Sequence, residues 1–161
     1  MSSPPKAAQI SLKDIAYGLS RINRFNGATD GEPYSVAQHS VLVSRECKYP
    51  LHGLFHDAHE AYLGDQTNFW KSLVTSNLKE IEQGFIDAIS EKFGLVWTKE
   101  IHDEVKRADI AVLLAEVRDL VPQKCGADLG GAAKCNVSPI YWKFAEEEFE
   151  KEYRHLTGEE T

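Results

Sequence analysis

Apolar positions recur at helical spacing along most of the chain. Ile10, Ile15 and Leu19 mark an amphipathic segment from Ile10 to Ser20. Val36 to Cys47 reads as a short apolar helix stopped by Lys48-Tyr49-Pro50, and Leu51 to Leu63 as the next, with Gly64 in a capping position. Ile81, Phe85, Ile89 and Phe93 form a stripe that ends at Gly94. Ile101, Val105, Ala108, Val112 and Ala115 form a longer one, running to about Leu120. Val121 to Val137, with Pro122, Gly126, Gly130 and Gly131, is a loop. Ser138-Pro139 then reads as an N-cap followed by proline at the first helical position. It opens a last helix with Trp142, Ala145 and Phe149 facing inward. No alternating strand pattern, repeat or linker interrupts this series. The expectation is a single all-α domain over residues 10–156, with a loose N-terminal tail at 1–9 and a short C-terminal tail at 157–161.

Composition fits a globular chain: 161 residues, 42% hydrophobic and 10% aromatic, are enough for one core without staples. No apolar run approaches a membrane span and no charged-then-apolar leader opens the chain, so no membrane partner is expected. Three cysteines, Cys47, Cys125 and Cys135, have neither paired metal spacing nor an even count. A reducing cytoplasm is the expected location. A net charge of −7 argues against a long nucleic-acid footprint, which needs clustered Lys and Arg. It does not exclude a small anion held by a cation and an arginine, because local potential governs such a site.

The chemistry concentrates in Leu54-Phe55-His56-Asp57-Ala58-His59-Glu60-Ala61-Tyr62-Leu63-Gly64-Asp65. Adjacent His56 and Asp57 can both reach one cation if further ligands come from elsewhere. On a regular helix His56 and Glu60 share a face, while Asp57 lies about 100° round. His39 and Asp109 are the candidate partners. Asp109 sits beside the apolar stripe of its helix, where an unpaired charge is costly. Either a metal or an ion pair with Lys106, Arg107 or Arg118 would satisfy it. Two imidazoles and two carboxylates suit Mn²⁺, Co²⁺, Zn²⁺ or Mg²⁺ without choosing among them. His52 and His59 stand nearby but are left out of the ligand set.

The pattern H…HD…D resembles the HD-domain metal-dependent phosphohydrolases. Within that group the run His56-Asp57, Glu60, Asp65 is similar to bacterial 5′-deoxynucleotidase and to phage deoxynucleoside triphosphate triphosphohydrolases. So are Ile22-Asn23-Arg24-Phe25, Tyr34-Ser35-Val36-Ala37-Gln38-His39 and Lys106-Arg107-Ala108-Asp109. The resemblance runs from about Leu19 to Glu116. It implies an HD-type helical bundle with a divalent metal on His39, His56, Asp57 and Asp109. Glu60 and Asp65 would serve catalysis, Arg24 would bind phosphate, and Phe25 would border the sugar or base. It implies a nucleotide substrate, with phosphate removed from deoxynucleoside 5′-monophosphates or triphosphate released from dNTPs, and a homo-oligomer. A non-catalytic nucleotide-sensing module and a metal-stabilised structural protein are the rival readings.

Overall fold

The structure, a computed structural model, describes residues 5–64, 76–121 and 128–159. Its described elements are helical: α1 (Leu12–Arg21), α2 (Val36–Glu46), α3 (Pro50–Phe55), α4 (Glu60–Leu63), α5 (Ser76–Phe93), α6 (Lys99–Leu120) and α7 (Trp142–Thr157). Among the described residues there is no strand, only an isolated bridge between Asn23 and Ser35. The all-α expectation holds. No helix among the described residues is long and apolar enough to cross a membrane.

Local chemistry sets the helix ends. The hydroxyls of Ser11, Ser35 and Thr98 accept from the amides of Asp14, Gln38 and Ile101, each relieving one orphan donor of a first turn. Pro50 occupies the first turn of α3. Gly64 and Gly94 follow α4 and α5 with φ of 79° and 66°, a backbone region where glycine carries no steric penalty.

Helix α2 is central, packing on α3, α6, α7 and α1, while α1 also lies on α4. One buried cluster joins Ile15, Leu19, Val41, Leu54, Phe55 and Phe149. A second joins Tyr34, Val43, Val105, Ala108, Val112 and Leu120. Two close approaches depend on glycine. A Cβ on Gly18 would lie 2.9 Å from both the Cβ and the carbonyl oxygen of Ala61 in α4, and one on Gly53 would lie 3.0 Å from Ser44 Cα in α2.

Four expectations need correction. The segment Leu51–Leu63 is not one helix. Residues 56–59 form consecutive turns, with Ala58 N–H on Phe55 O at 3.1 Å and Glu60 N–H on Asp57 O at 2.9 Å. The His56 ring contributes to the break: its Nδ1–H donates to Gly53 O at 2.8 Å, the acceptor that a regular helix would offer to the Asp57 amide. Ser138-Pro139 does not open the last helix, which starts at Trp142 after Tyr141. The Gln38 amide clamps the segment before it, donating to Ser138 O at 2.7 Å and accepting from Ile140 N–H at 3.1 Å, and so holds it out of the helix. Residues 7–9 form a 3₁₀ turn packed near α5 rather than a loose tail. Ile81, read as an inward position, is 46% exposed.

Candidate metal centre

Three segments converge on one point. Helix α2 carries His39, the turn after α3 carries His56 and Asp57, and α6 carries Asp109. His39 Nε2 lies 3.4 Å from Asp109 Oδ1 and 3.8 Å from Asp57 Oδ2. His56 Nε2 lies 3.2 Å from Asp57 Oδ2 and 4.0 Å from Asp109 Oδ1. His39, His56 and Asp109 each offer a ligand atom within 4.8 Å of the others. The two rings stand 5.3 Å apart, tilted by 54°. The four ligand candidates named from the sequence are therefore neighbours in space.

The two imidazoles share a polarity. His39 Nδ1–H donates to Glu116 Oε1 at 2.6 Å, and His56 Nδ1–H donates to Gly53 O. Each Nε2 is buried, aimed at the carboxylates and without an aligned hydrogen bond among the described residues. Buried polar atoms in folded proteins almost always find a partner. With Nδ1–H committed to an oxygen, Nε2 is the nitrogen left to take either a proton or a cation, the arrangement that orients metal-bound histidine. The donor set thus fits a divalent cation.

Electrostatics agree. Three carboxylates, Asp57, Asp109 and Glu116, surround the rings, against one partly buried guanidinium, Arg24, and the ammonium of Lys106 on the solvent side. Burial pushes the Asp57 carboxyl up, but the imidazoles of His56 and His39 and the Arg24 guanidinium hold it well below the usual carboxylate range. Burial likewise opposes ionisation of Asp109, and His39, His56 and Lys106 overcome it. For His56 burial works against the charged form, while Asp57 and Asp109 raise its pKa on balance. Asp57 and Asp109 keep 20% and 19% of their side chains exposed, against 0% for His39, so the carboxylates lie nearer the surface than the His39 ring.

Asp109 answers both alternatives its position raised: Oδ2 accepts from Lys106 Nζ at 2.9 Å while Oδ1 faces the imidazoles. Arg24 is placed differently from a freely presented phosphate ligand. Its Nε and Nη2 lie 3.0 and 2.9 Å from Glu116 Oε2, and Nη1 is 4.0 Å from Asp57 Oδ2. The loop before α2 produces this. Arg24 N–H donates to Tyr34 O and Val36 N–H to Ile22 O, closing residues 23–35 at their base. Phe25 and Asn26 then take φ of 55° and 52°, left-handed values that cost non-glycine residues about 1–2 kcal/mol each. Phe25 packs against the second cluster, with Arg24 Cζ 5.6 Å from its ring centre.

Glu60 is buried at the start of α4, three residues beyond Asp57. Asp65 lies outside the described residues. His52 turns away, with Nε2 on Val96 O and its ring against Trp97. His59 pairs with Glu82 of α5 at 3.0 Å.

Sequence reasoning missed Glu116. It is fully buried and accepts from His39, Tyr34 and Arg24, which hold its carboxyl below the ordinary range against the opposing effect of burial. The signal was available. Glu116 lies four residues past Val112 and seven past Asp109, on the same apolar stripe. Like Asp109, it is a charge placed among apolar positions of a helix, where an unpaired carboxylate is costly.

No protein-family model matches the chain. It is similar to an uncharacterized protein of Rhodobacter capsulatus, 34% identical over 117 residues that cover 65% of this chain. The match spans 60% of that relative's length.

Proposed function

We propose that this chain is a divalent-metal-dependent phosphohydrolase that removes phosphate from deoxynucleotides, with deoxynucleoside 5′-monophosphates as preferred substrates. One observation carries the reading: two buried Nε2 atoms, each fixed by an Nδ1–H bond, face the partly buried carboxylates of Asp57 and Asp109. The substrate class comes from the resemblance of the His56-Asp57, Glu60, Asp65 and Arg24-Phe25 segments to HD-domain nucleotidases. The partly exposed carboxylates favour catalysis over a purely structural ion, since structural sites close around their metal.

His39, His56, Asp57 and Asp109 would hold the ion. When bound, it supplies positive charge to a phosphoryl oxygen and acidifies the attacking water. Glu60 would position that water from the first turn of α4. Asp65 would exchange the proton with water or leaving group. Arg24 already spends two nitrogens on Glu116, so Nη1, on the Asp57 side, is the edge it would offer to a phosphate oxygen. Arg24 and Lys106 are a small positive complement, suited to one phosphate better than three.

The test is turnover of deoxynucleoside mono- and triphosphates with Mn²⁺, Co²⁺, Zn²⁺ or Mg²⁺, following the released ion. Orthophosphate from monophosphates supports the reading, and intact triphosphate from dNTPs would replace it with the triphosphohydrolase alternative. No turnover with bound nucleotide would favour the sensing module.

A further inference from the structure

We infer that Glu116 is the positioning residue of the metal centre, fixing both the tautomer of His39 and the place of Arg24. The inference rests on the metal-centre reading above.

Four donors meet this carboxylate. Oε1 accepts from His39 Nδ1 at 2.6 Å and from Tyr34 Oη at 2.9 Å, and Oε2 takes Arg24 Nε at 3.0 Å and Nη2 at 2.9 Å. Three of these contacts are hydrogen bonds and the Nη2 contact is an ion pair, so both oxygens of Glu116 are engaged, against about four lone-pair sites on an ionised carboxylate. It and His39 are fully buried, which leaves no solvent to substitute for a lost partner. The side chain is therefore an all-acceptor template, and each of its oxygens controls one component of the centre. Through Oε1 it places the His39 proton on Nδ1 and leaves the Nε2 lone pair facing Asp57 and Asp109. Through Oε2 it holds the guanidinium at 4.0 Å from Asp57 Oδ2, close enough to stabilise that carboxylate without a short bond competing for its oxygen.

Glu116→Gln keeps the shape and changes the hydrogen-bond code. A carboxamide has one accepting oxygen and one donating nitrogen, and both orientations harm the centre. With the nitrogen toward His39, Nδ1 must accept, so the ring proton moves to Nε2, where a cation should bind. With the nitrogen toward Arg24, donors face donors, and the guanidinium is driven toward Asp57. Losing a partner that orients a metal ligand typically weakens metal affinity about 10–100-fold.

The experiment titrates wild type, Glu116→Gln and Tyr34→Phe with Co²⁺ alone, read by visible absorption. Long-range ¹H–¹⁵N correlation then locates the histidine ring protons in the metal-free proteins. We expect His39 to carry its proton on Nδ1 in wild type. Co²⁺ should bind Glu116→Gln about 10–100-fold more weakly, with a clearly smaller loss in Tyr34→Phe, which takes one donor from Oε1 but leaves the carboxylate as acceptor for His39 Nδ1 and Arg24. Equal Co²⁺ affinity in wild type and Glu116→Gln overturns the inference, as does an equal loss in Tyr34→Phe, which would assign the effect to packing. If Glu116→Gln does not fold, the wild-type spectrum decides: an Nε2-protonated His39 overturns the assignment and an Nδ1-protonated ring supports it. A wild type that takes up no Co²⁺ overturns the metal-centre reading itself, and so separates that failure from this one.

Discussion

Gly18→Ala tests whether the contact between α1 and α4 is as close as the structure makes it. The added Cβ would meet Ala61 Cβ and O at 2.9 Å and Ala61 Cα at 3.0 Å, where carbon contacts are at their best at about 3.5–4.0 Å. None of these atoms can rotate away, so the helices must part by roughly half an ångström or more. Overpacking of this kind costs about 1–3 kcal/mol. Against it, alanine in place of glycine inside a helix returns about 1 kcal/mol. The net expectation is a loss of about 1 kcal/mol, or about 2–4 °C in thermal midpoint for a chain of this size. Ala61→Gly in the same chain removes one of the three contacts and should restore part of the loss, a coupling that a double-mutant cycle reads directly. Because α4 continues from the turn bearing His56 and Asp57, Co²⁺ affinity should fall along with stability. A Gly18→Ala protein more stable than wild type by the helix-propensity gain would refute the close approach.

Other perturbations probe the centre itself. His56→Ala and Asp57→Ala should each lose bound metal and activity together, and undiminished stoichiometric metal in the purified variants would remove them from the ligand set. Glu60→Ala and Asp65→Ala should keep metal while turnover drops by about 10²–10⁴; near-normal rates in both would place the acid–base chemistry elsewhere. Arg24→Met leaves Glu116 buried with only His39 and Tyr34 as donors, so urea unfolding should show a loss near the lower end of the about 3–5 kcal/mol typical of a broken buried pair. Arg24→Lys should recover only part of it, because an ammonium cannot make the two-nitrogen contact. Asp57, Asp109 and Glu116 all have folded-state pKa values below their ordinary ones. Their stabilisation is complete above the unfolded carboxylate pKa of about 4 and is lost as pH falls through the depressed folded values, so the urea midpoint should drop from about pH 5 to about pH 3. A flat midpoint over that window would contradict the geometry.

Helix type and the inward faces of α2, α6 and α7 were legible because Val36, Val112, Ala145 and Phe149 repeat at the helical period and are buried. The four ligand candidates were legible as chemistry, and the structure adds that they meet. The break at 56–59 was not legible: it involves a side chain of the motif bonding to its own backbone, which no apolar period reports. The late start of α7 was hidden for a similar reason, since the clamp on residues 138–140 comes from Gln38, 100 positions away. The internal role of Arg24 is hidden in the sequence because its partner, Glu116, is 92 residues distant.

A single helix touches both edges of the His39 ring. Asp109 of α6 faces Nε2 at 3.4 Å and Glu116 of α6 meets Nδ1 at 2.6 Å. The seven residue steps from Asp109 to Glu116 rise about 10.5 Å at 1.5 Å per residue. The helix works as a caliper whose jaws are set by backbone pitch rather than by side-chain choice. A shift of α6 against α2 carries both jaws together, and a flip of the ring would have to release both at once. The interval from 109 to 116 is therefore fixed in length by the ring as well as by the packing of the apolar stripe. Removing or adding one residue there would swing one jaw about 100° off the ring, whereas a change of length beyond Leu120 leaves the grip intact.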